Sequence, residues 1–141
     1  MATHLAKAFS KNGIIVHQIY SQTCDNSEVL AWQSNAVYTC DLDELDMNVD
    51  LFIFAVKDEV IKQLSKFILQ KNPIAKVVHT SGSVGLDVFE NAVNAGILYP
   101  LQSFSKTKKI DISAVPFLIT SDNSNFKNEL IALATLLSDK V

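Results

Sequence analysis

The chain has 141 residues, 48% of them apolar, with 12 basic side chains against 15 acidic ones and a net charge of −3. That length suits one domain with a sizeable core, and the composition argues against disorder. The charge balance speaks against a nucleic-acid surface. The longest apolar run, Leu51 to Val56, falls far below the roughly 20 residues of a membrane-spanning helix.

In chain order, Ala2 to Asn12 puts Ala2, Leu5, Ala6, Ala8 and Phe9 on one helical stripe, with Gly13 as its stop. Ile14 to Tyr20 reads as a strand rich in β-branched residues. Ser21 to Asp25 follows as a polar turn, and Asp25 or Ser27 caps a helix reaching about Ser34. Ala36 to Thr39 is a short strand, and Asp41 to Asp50 an acidic stretch. Leu51 to Val56 is continuously apolar, as in a strand covered on both faces. Helical spacing returns from Asp58 to Gln70 through Val60, Ile61, Leu64, Phe67 and Ile68. Ala75 to His79 is a strand ending in a loop of small residues, Thr80 to Gly85. Leu86 to Ala95 reads as a helix stopped by Gly96, and Ile97 to Tyr99 as a short strand before Pro100. Pro116 to Thr120 is the last strand, and Asn123 to Asp139 a long amphipathic helix.

Alternating helices and strands predict an α/β fold, doubly wound with a mainly parallel sheet, whose ligands gather at the carboxyl ends of the strands. Those ends are Tyr20 to Thr23, Val56 to Asp58, His79 to Gly85 and Tyr99 to Phe104. The opening is unusual. A dinucleotide-binding domain begins with a strand and a G-x-G-x-x-G turn, whereas this chain begins on the helix. The strand missing from the pattern belongs at the sheet centre, so its absence is expected to leave unpaired edges that associate or aggregate. Only four glycines occur, fewer than the usual ~7% would give, and all basic residues are lysines.

Several segments resemble one family: Ala2-Thr3-His4-Leu5-Ala6-Lys7, Tyr20-Ser21-Gln22-Thr23, and the strand from Asp50 to Asp58. His79-Thr80-Ser81-Gly82-Ser83 and Tyr99-Pro100-Leu101-Gln102-Ser103-Phe104-Ser105-Lys106 are the most specific of them. The family is that of Rossmann-like bacterial proteins with a C-terminal domain of unknown function, related to pyrroline-5-carboxylate reductase and the deazaflavin-dependent NADP oxidoreductases. The resemblance implies a glycine-rich turn before Ala2 and a helical domain after the last helix. Residues 1–141 are therefore expected to be a partial NAD(P)-binding domain, without its C-terminal helical domain. It implies NADP or NAD as cofactor, weakly held or lost in this length of chain. A small carbonyl or imine would be the substrate and a homodimer the full-length assembly. A non-catalytic α/β interaction module or decayed paralogue is the alternative.

By resemblance, Ser21, Gln22 and Thr23 lie where the adenosine ribose binds. Gln22 replaces the arginine often found there, and glutamine supplies hydrogen bonds but no charge to a 2′-phosphate. Ala55, Val56 and Lys57 pass along the cofactor, and Asp58 is placed as the N-cap or a first-turn carboxylate of the next helix. Thr80, Ser81, Gly82 and Ser83 offer hydroxyls and a permissive glycine. His79 and Ser81 are the catalytic candidates, with His79 able to move a proton near neutral pH. His79 reads equally as a buried strand residue, with the loop after it capping a helix. Gln102 and Ser103 are the substrate-side candidates.

Other constellations carry less. His4, His17 and His79 lack zinc spacing. Asp41, Asp43, Glu44 and Asp46 read as a solvated turn, and Lys106, Lys108 and Lys109 as a small basic patch. Trp32 with Val29 reads as core. Cys24 and Cys40 fit neither a metal site nor a dense disulfide framework, which points to the cytoplasm.

Overall fold

The computed structural model describes residues 1–104 and 108–141; Ser105 and Lys106, the end of the Tyr99 segment and the start of the basic patch, lie outside the described residues. The chain forms two compact units, Met1–Val49 and Asp50–Val141.

In the first unit, helix α1 (Ala2–Lys11) buries Leu5, Ala6, Ala8 and Phe9, the stripe expected from the spacing. Asn12 ends it, its side chain and backbone both bonding to the Ala8 carbonyl, and Gly13 follows with φ +76°, a conformation glycine adopts without strain. Strand β1 (Gln18–Tyr20) is only three residues long, and Ile15 stays exposed instead of extending it. Helix α2 (Cys24–Ser34) starts one residue after Thr23, so Asp25 and Ser27 lie inside the helix and do not cap it. Its buried face is Ser27, Ala31 and Ser34, all small. Trp32 (86% exposed) and Val29 (59%) point to solvent, which corrects their reading as core. Strand β2 (Val37–Thr39) pairs with β1 in parallel, Tyr20 opposite Thr39. Asp41 then accepts from the Asp43 amide to cap a short turn, Leu42–Glu44, within the acidic stretch.

The second unit holds a four-stranded sheet in the order β3-β4-β5-β6. Strand β3 (Phe52–Phe54) leads into helix α3 (Asp58–Lys71), which buries Ile61, Leu64 and Ile68. Each such aliphatic side chain contributes about 1.5–3 kcal/mol on burial. Strands β4 (Lys76–His79) and β5 (Asn94–Pro100) run parallel to β3, with Phe54 opposite His79 and His79 opposite Ile97. Strand β6 (Phe117–Thr120) closes the sheet antiparallel to β5. Helix α4 (Ser124–Leu137), capped by the Asn123 side-chain Oδ1 accepting from the Phe126 amide, buries Phe126, Leu130, Ala134 and Leu137.

The helix expected from Leu86 to Ala95 does not form. Leu86–Phe89 makes one tight turn, Glu90 adopts φ +49°, and residues from Asn94 join β5. Gly96 is therefore no helix stop. It sits mid-strand where any Cβ would run into the Leu130 side chain, so glycine lets α4 lie close on the sheet.

Candidate functional site

Because β3, β4 and β5 are parallel, the loops that follow them emerge at one edge of the second unit's sheet. That edge carries Ala55, Val56 and Lys57, then residues 80–85, then Gln102 and Ser103. Val56, Lys57, Gly82, Ser83, Gln102 and Ser103 are exposed there, Ala55 and Ser81 are partly covered, and Thr80 is buried.

His79 is 0% exposed. Its ring packs against Phe89, 5.4 Å between centroids, and Phe89 in turn contacts Phe54. The Ser81 amide donates to Nδ1 at 3.2 Å, and Nε2 lies 3.4 Å from the Gly85 carbonyl. Nδ1 must therefore accept and Nε2 donate, which selects the neutral Nε2–H tautomer. Burial pushes the imidazole pKa below its ordinary value, outweighing the Gly85 hydrogen bond and the charge of Asp58. In this geometry the ring holds both ends of its own loop. A proton-transfer role would require it to leave these two partners.

Thr80 continues the anchoring, its amide and hydroxyl both donating to the Phe54 carbonyl at 3.2 and 3.4 Å. The Ser81 hydroxyl oxygen accepts from the amides of Ser83 and Val84 and lies 3.1 Å from Ser83 Oγ. Ser83 donates to Asp58 Oδ2 at 2.7 Å. That bond, with the Ser81 hydroxyl adding to it, holds the Asp58 carboxyl below the usual carboxylate range. Asp58 is thus the first residue of α3 and a loop anchor, while Lys57 occupies the cap position. Gly82 lies on the Tyr99 ring, where a Cβ would come within 2.6 Å of Cζ. Sequence reasoning missed the Asp58 and Tyr99 contacts, which join residues far apart in the chain.

In the first unit, Ser21, Gln22 and Thr23 form the loop between β1 and α2. The Ser21 amide donates to the Thr39 carbonyl at 3.3 Å, and Ser21 Oγ accepts from the Thr23 amide. Thr23 Oγ1 accepts from Asn26 at 2.7 Å. Gln22 is exposed. Cys24 and Cys40 are bonded to each other beside this loop. The signal for that pairing was present: both follow strands that lie side by side.

No group of three His, Cys, Asp or Glu side chains able to hold a metal occurs among the described residues. His17 and Asp46 instead form a pair at 2.7 Å. The Asn48 amide and then His17 hold the Asp46 pKa down. A groove of about 440 Å³ on β6 and α4, lined by Leu118, Lys127, Ile131 and Val141 among others, includes none of the expected site residues.

No family model matches the chain, and no curated protein matches it. Among solved structures, a "putative NADP oxidoreductase" from Bacteroides fragilis superposes with a TM-score of 0.92 at 35% identity, covering 99% of this chain and 54% of that one. A protein from Thermotoga maritima superposes at a TM-score of 0.74 with 21% identity, over 96% of this chain and 52% of that one. The fold is Rossmann-like. The chain spans about half the length of these structures.

The residues fit a dinucleotide in part. Half-buried Ser21 and exposed Gln22 and Thr23 supply neutral hydrogen-bonding groups suited to a ribose, but no cation for a 2′-phosphate. Gly82 is exposed at the sheet edge, and its neighbour Ser83 is held there, its amide donating to the Ser81 hydroxyl oxygen and its own hydroxyl to Asp58.

Proposed function

We propose that the chain is the cofactor-binding domain of an NAD(P)-dependent oxidoreductase acting on a small carbonyl or imine. The observation that carries this reading is the near-complete superposition, at 35% identity, on the Bacteroides fragilis protein. The cofactor supplies a hydride to, or takes one from, the substrate carbon. Fold alone does not fix chemistry, so the roles of this chain's residues rest on their placement.

In the first unit, Ser21, Gln22 and Thr23 bind the adenosine ribose, and the lack of charge at Gln22 favours NADH over NADPH. In the second, Ala55, Val56 and Lys57 follow the cofactor, and Thr80, Ser81, Gly82 and Ser83 orient its nicotinamide end. His79 is a positioning residue, fixing the loop through Nδ1 and Nε2. Gln102 and Ser103 face the substrate, and the full-length enzyme is a homodimer working in the cytoplasm.

Thermal unfolding tests the reading. A ligand that binds only the native state and is present at several times its Kd adds about 1 kcal/mol. For a chain of this size that raises Tm by about 2–4 °C. In the full-length protein, millimolar NADH or NADPH is expected to give such a rise, and ATP none. No rise with either dinucleotide contradicts the proposal and favours a non-catalytic module.

A further inference from the structure

Cys24 and Cys40, the chain's two cysteines, are joined, with their Cα atoms 5.0 Å apart, inside the usual span of a disulfide. Both residues are exposed. Cys24 opens α2 directly after Thr23, and Cys40 directly follows β2. Tyr20 and Thr39 are register partners, and the Ser21 amide reaches the Thr39 carbonyl. The bond thus closes the far side of the loop formed by Ser21, Gln22 and Thr23, whose near side is already pinned to β2. A bridge buried in a core is shielded from small thiols. This one is open to them, and accessible bridges are those that exchange with the cellular thiol pool.

We infer that Cys24 and Cys40 form a reversible thiol–disulfide site, oxidised by a small disulfide of the glutathione class, whose closed form holds the loop of Ser21, Gln22 and Thr23 in a ribose-binding shape. The last clause rests on the cofactor reading above. In the forward direction the Cys24 thiolate attacks one sulfur of the small disulfide. The small S–S bond breaks, a mixed disulfide forms, and one small thiol leaves and takes a proton. The Cys40 thiolate then attacks the Cys24 sulfur, closing the protein bond and releasing the second small thiol. Two protein thiols give up two electrons and two protons, and the small disulfide is reduced to two thiols. Excess small thiol runs both steps backwards.

Alkylation trapping in glutathione buffers, read by intact mass, tests the site on the folded chain. Excess reduced glutathione is expected to expose both thiols to alkylation, and excess oxidised glutathione to abolish both adducts reversibly. Cys40→Ser, unable to close the bond, is expected to gain the mass of one glutathione. A bridge that resists reduced glutathione in the native chain, or thiols that stay open in oxidised glutathione, overturns the proposal. Amide hydrogen exchange in the same samples reads the loop. Slower exchange from Thr23 to Asn26 in the oxidised chain supports it, and equal exchange in both forms overturns it. NADH is then titrated against each form, with about tenfold tighter binding expected for the oxidised one, within the usual range of coupling between linked sites. Equal binding in both forms defeats the coupling but leaves the oxidoreductase reading intact. Binding in neither form defeats the coupling, while the thiol and exchange results still decide the redox site and the full-length protein decides the oxidoreductase reading.

Discussion

The Ser83 hydroxyl donates to Asp58 Oδ2 at 2.7 Å, tying the loop after β4 to the first turn of α3. An acidic residue there also complements the positive end of the helix dipole, so one carboxylate serves both the helix and the loop. Because the bond favours the charged carboxylate, its contribution is present above the ordinary Asp value of 3.8 and is lost as pH falls through the lower folded value. Ser83→Ala is expected to move the Asp58 titration up toward 3.8. Carboxyl-carbon NMR against pH checks this, and an unshifted titration would show that Ser83 is not the cause.

Burial depresses the His79 pKa, so the folded chain prefers the neutral ring. Between the folded value and the ordinary 6.5, the unfolded chain binds more protons, and stability therefore rises with pH across that window. Urea midpoints are expected to fall as pH drops below 6.5. His79→Gln, with no titrating group, is expected to lose that part of the slope. An identical pH slope in the variant would contradict the assigned tautomer and its burial.

Gly82 lies against the Tyr99 ring with no room for a methyl group. Gly82→Ala is expected to cost about 1–3 kcal/mol, the usual range for overpacking. The same substitution in a Tyr99→Ala background is expected to cost less, because the clashing ring is gone. Equal costs in both backgrounds, measured by chemical denaturation, would mean that some other contact sets the penalty.

Trp32 is the chain's one tryptophan and stands 86% exposed on α2. Its fluorescence is expected to be red-shifted and readily quenched by acrylamide, and Trp32→Ala to change stability by no more than about 0.5 kcal/mol. A blue-shifted, protected emission would contradict the orientation of α2.

That orientation shows where the sequence stops being legible. α1, α3 and α4 were readable because Leu5, Phe9, Ile61, Leu64, Ile68, Phe126 and Leu130 repeat at helical spacing on the buried face. α2 packs through Ser27, Ala31 and Ser34 instead, leaving Val29 and Trp32 outside. Hydrophobicity points the wrong way when close approach needs small side chains. The segment after Gly85 failed for a different reason. Its apolar spacing suits a helix, but Asn94 and Ala95 are recruited by Lys76 and Val77 of β4, and such long-range pairing overrides local pattern. At the site, the clustering of His79 to Ser83 at a strand's carboxyl end was legible. The Asp58 and Tyr99 anchors were not, because their partners are brought together only by the parallel order of β3, β4 and β5.

On the proposed reading Gln22 leaves the ribose loop without charge, so Gln22→Arg is expected to improve NADPH binding relative to NADH by about tenfold, through a charge-assisted bond to the 2′-phosphate. Isothermal titration with both dinucleotides measures the ratio. An unchanged ratio would remove this loop from the ribose end of the cofactor.

The central claim is that a nicotinamide dinucleotide binds at the carboxyl ends of the strands. Amide chemical-shift mapping during titration with millimolar NADH or NADPH tests it most directly, since weak binding is still visible. The predicted result is saturable shifts at Ser21, Gln22 and Thr23, at Val56 and Lys57, and from Thr80 to Ser83. Shifts confined to the groove of Leu118, Lys127 and Ile131, or no shifts at all, would contradict it.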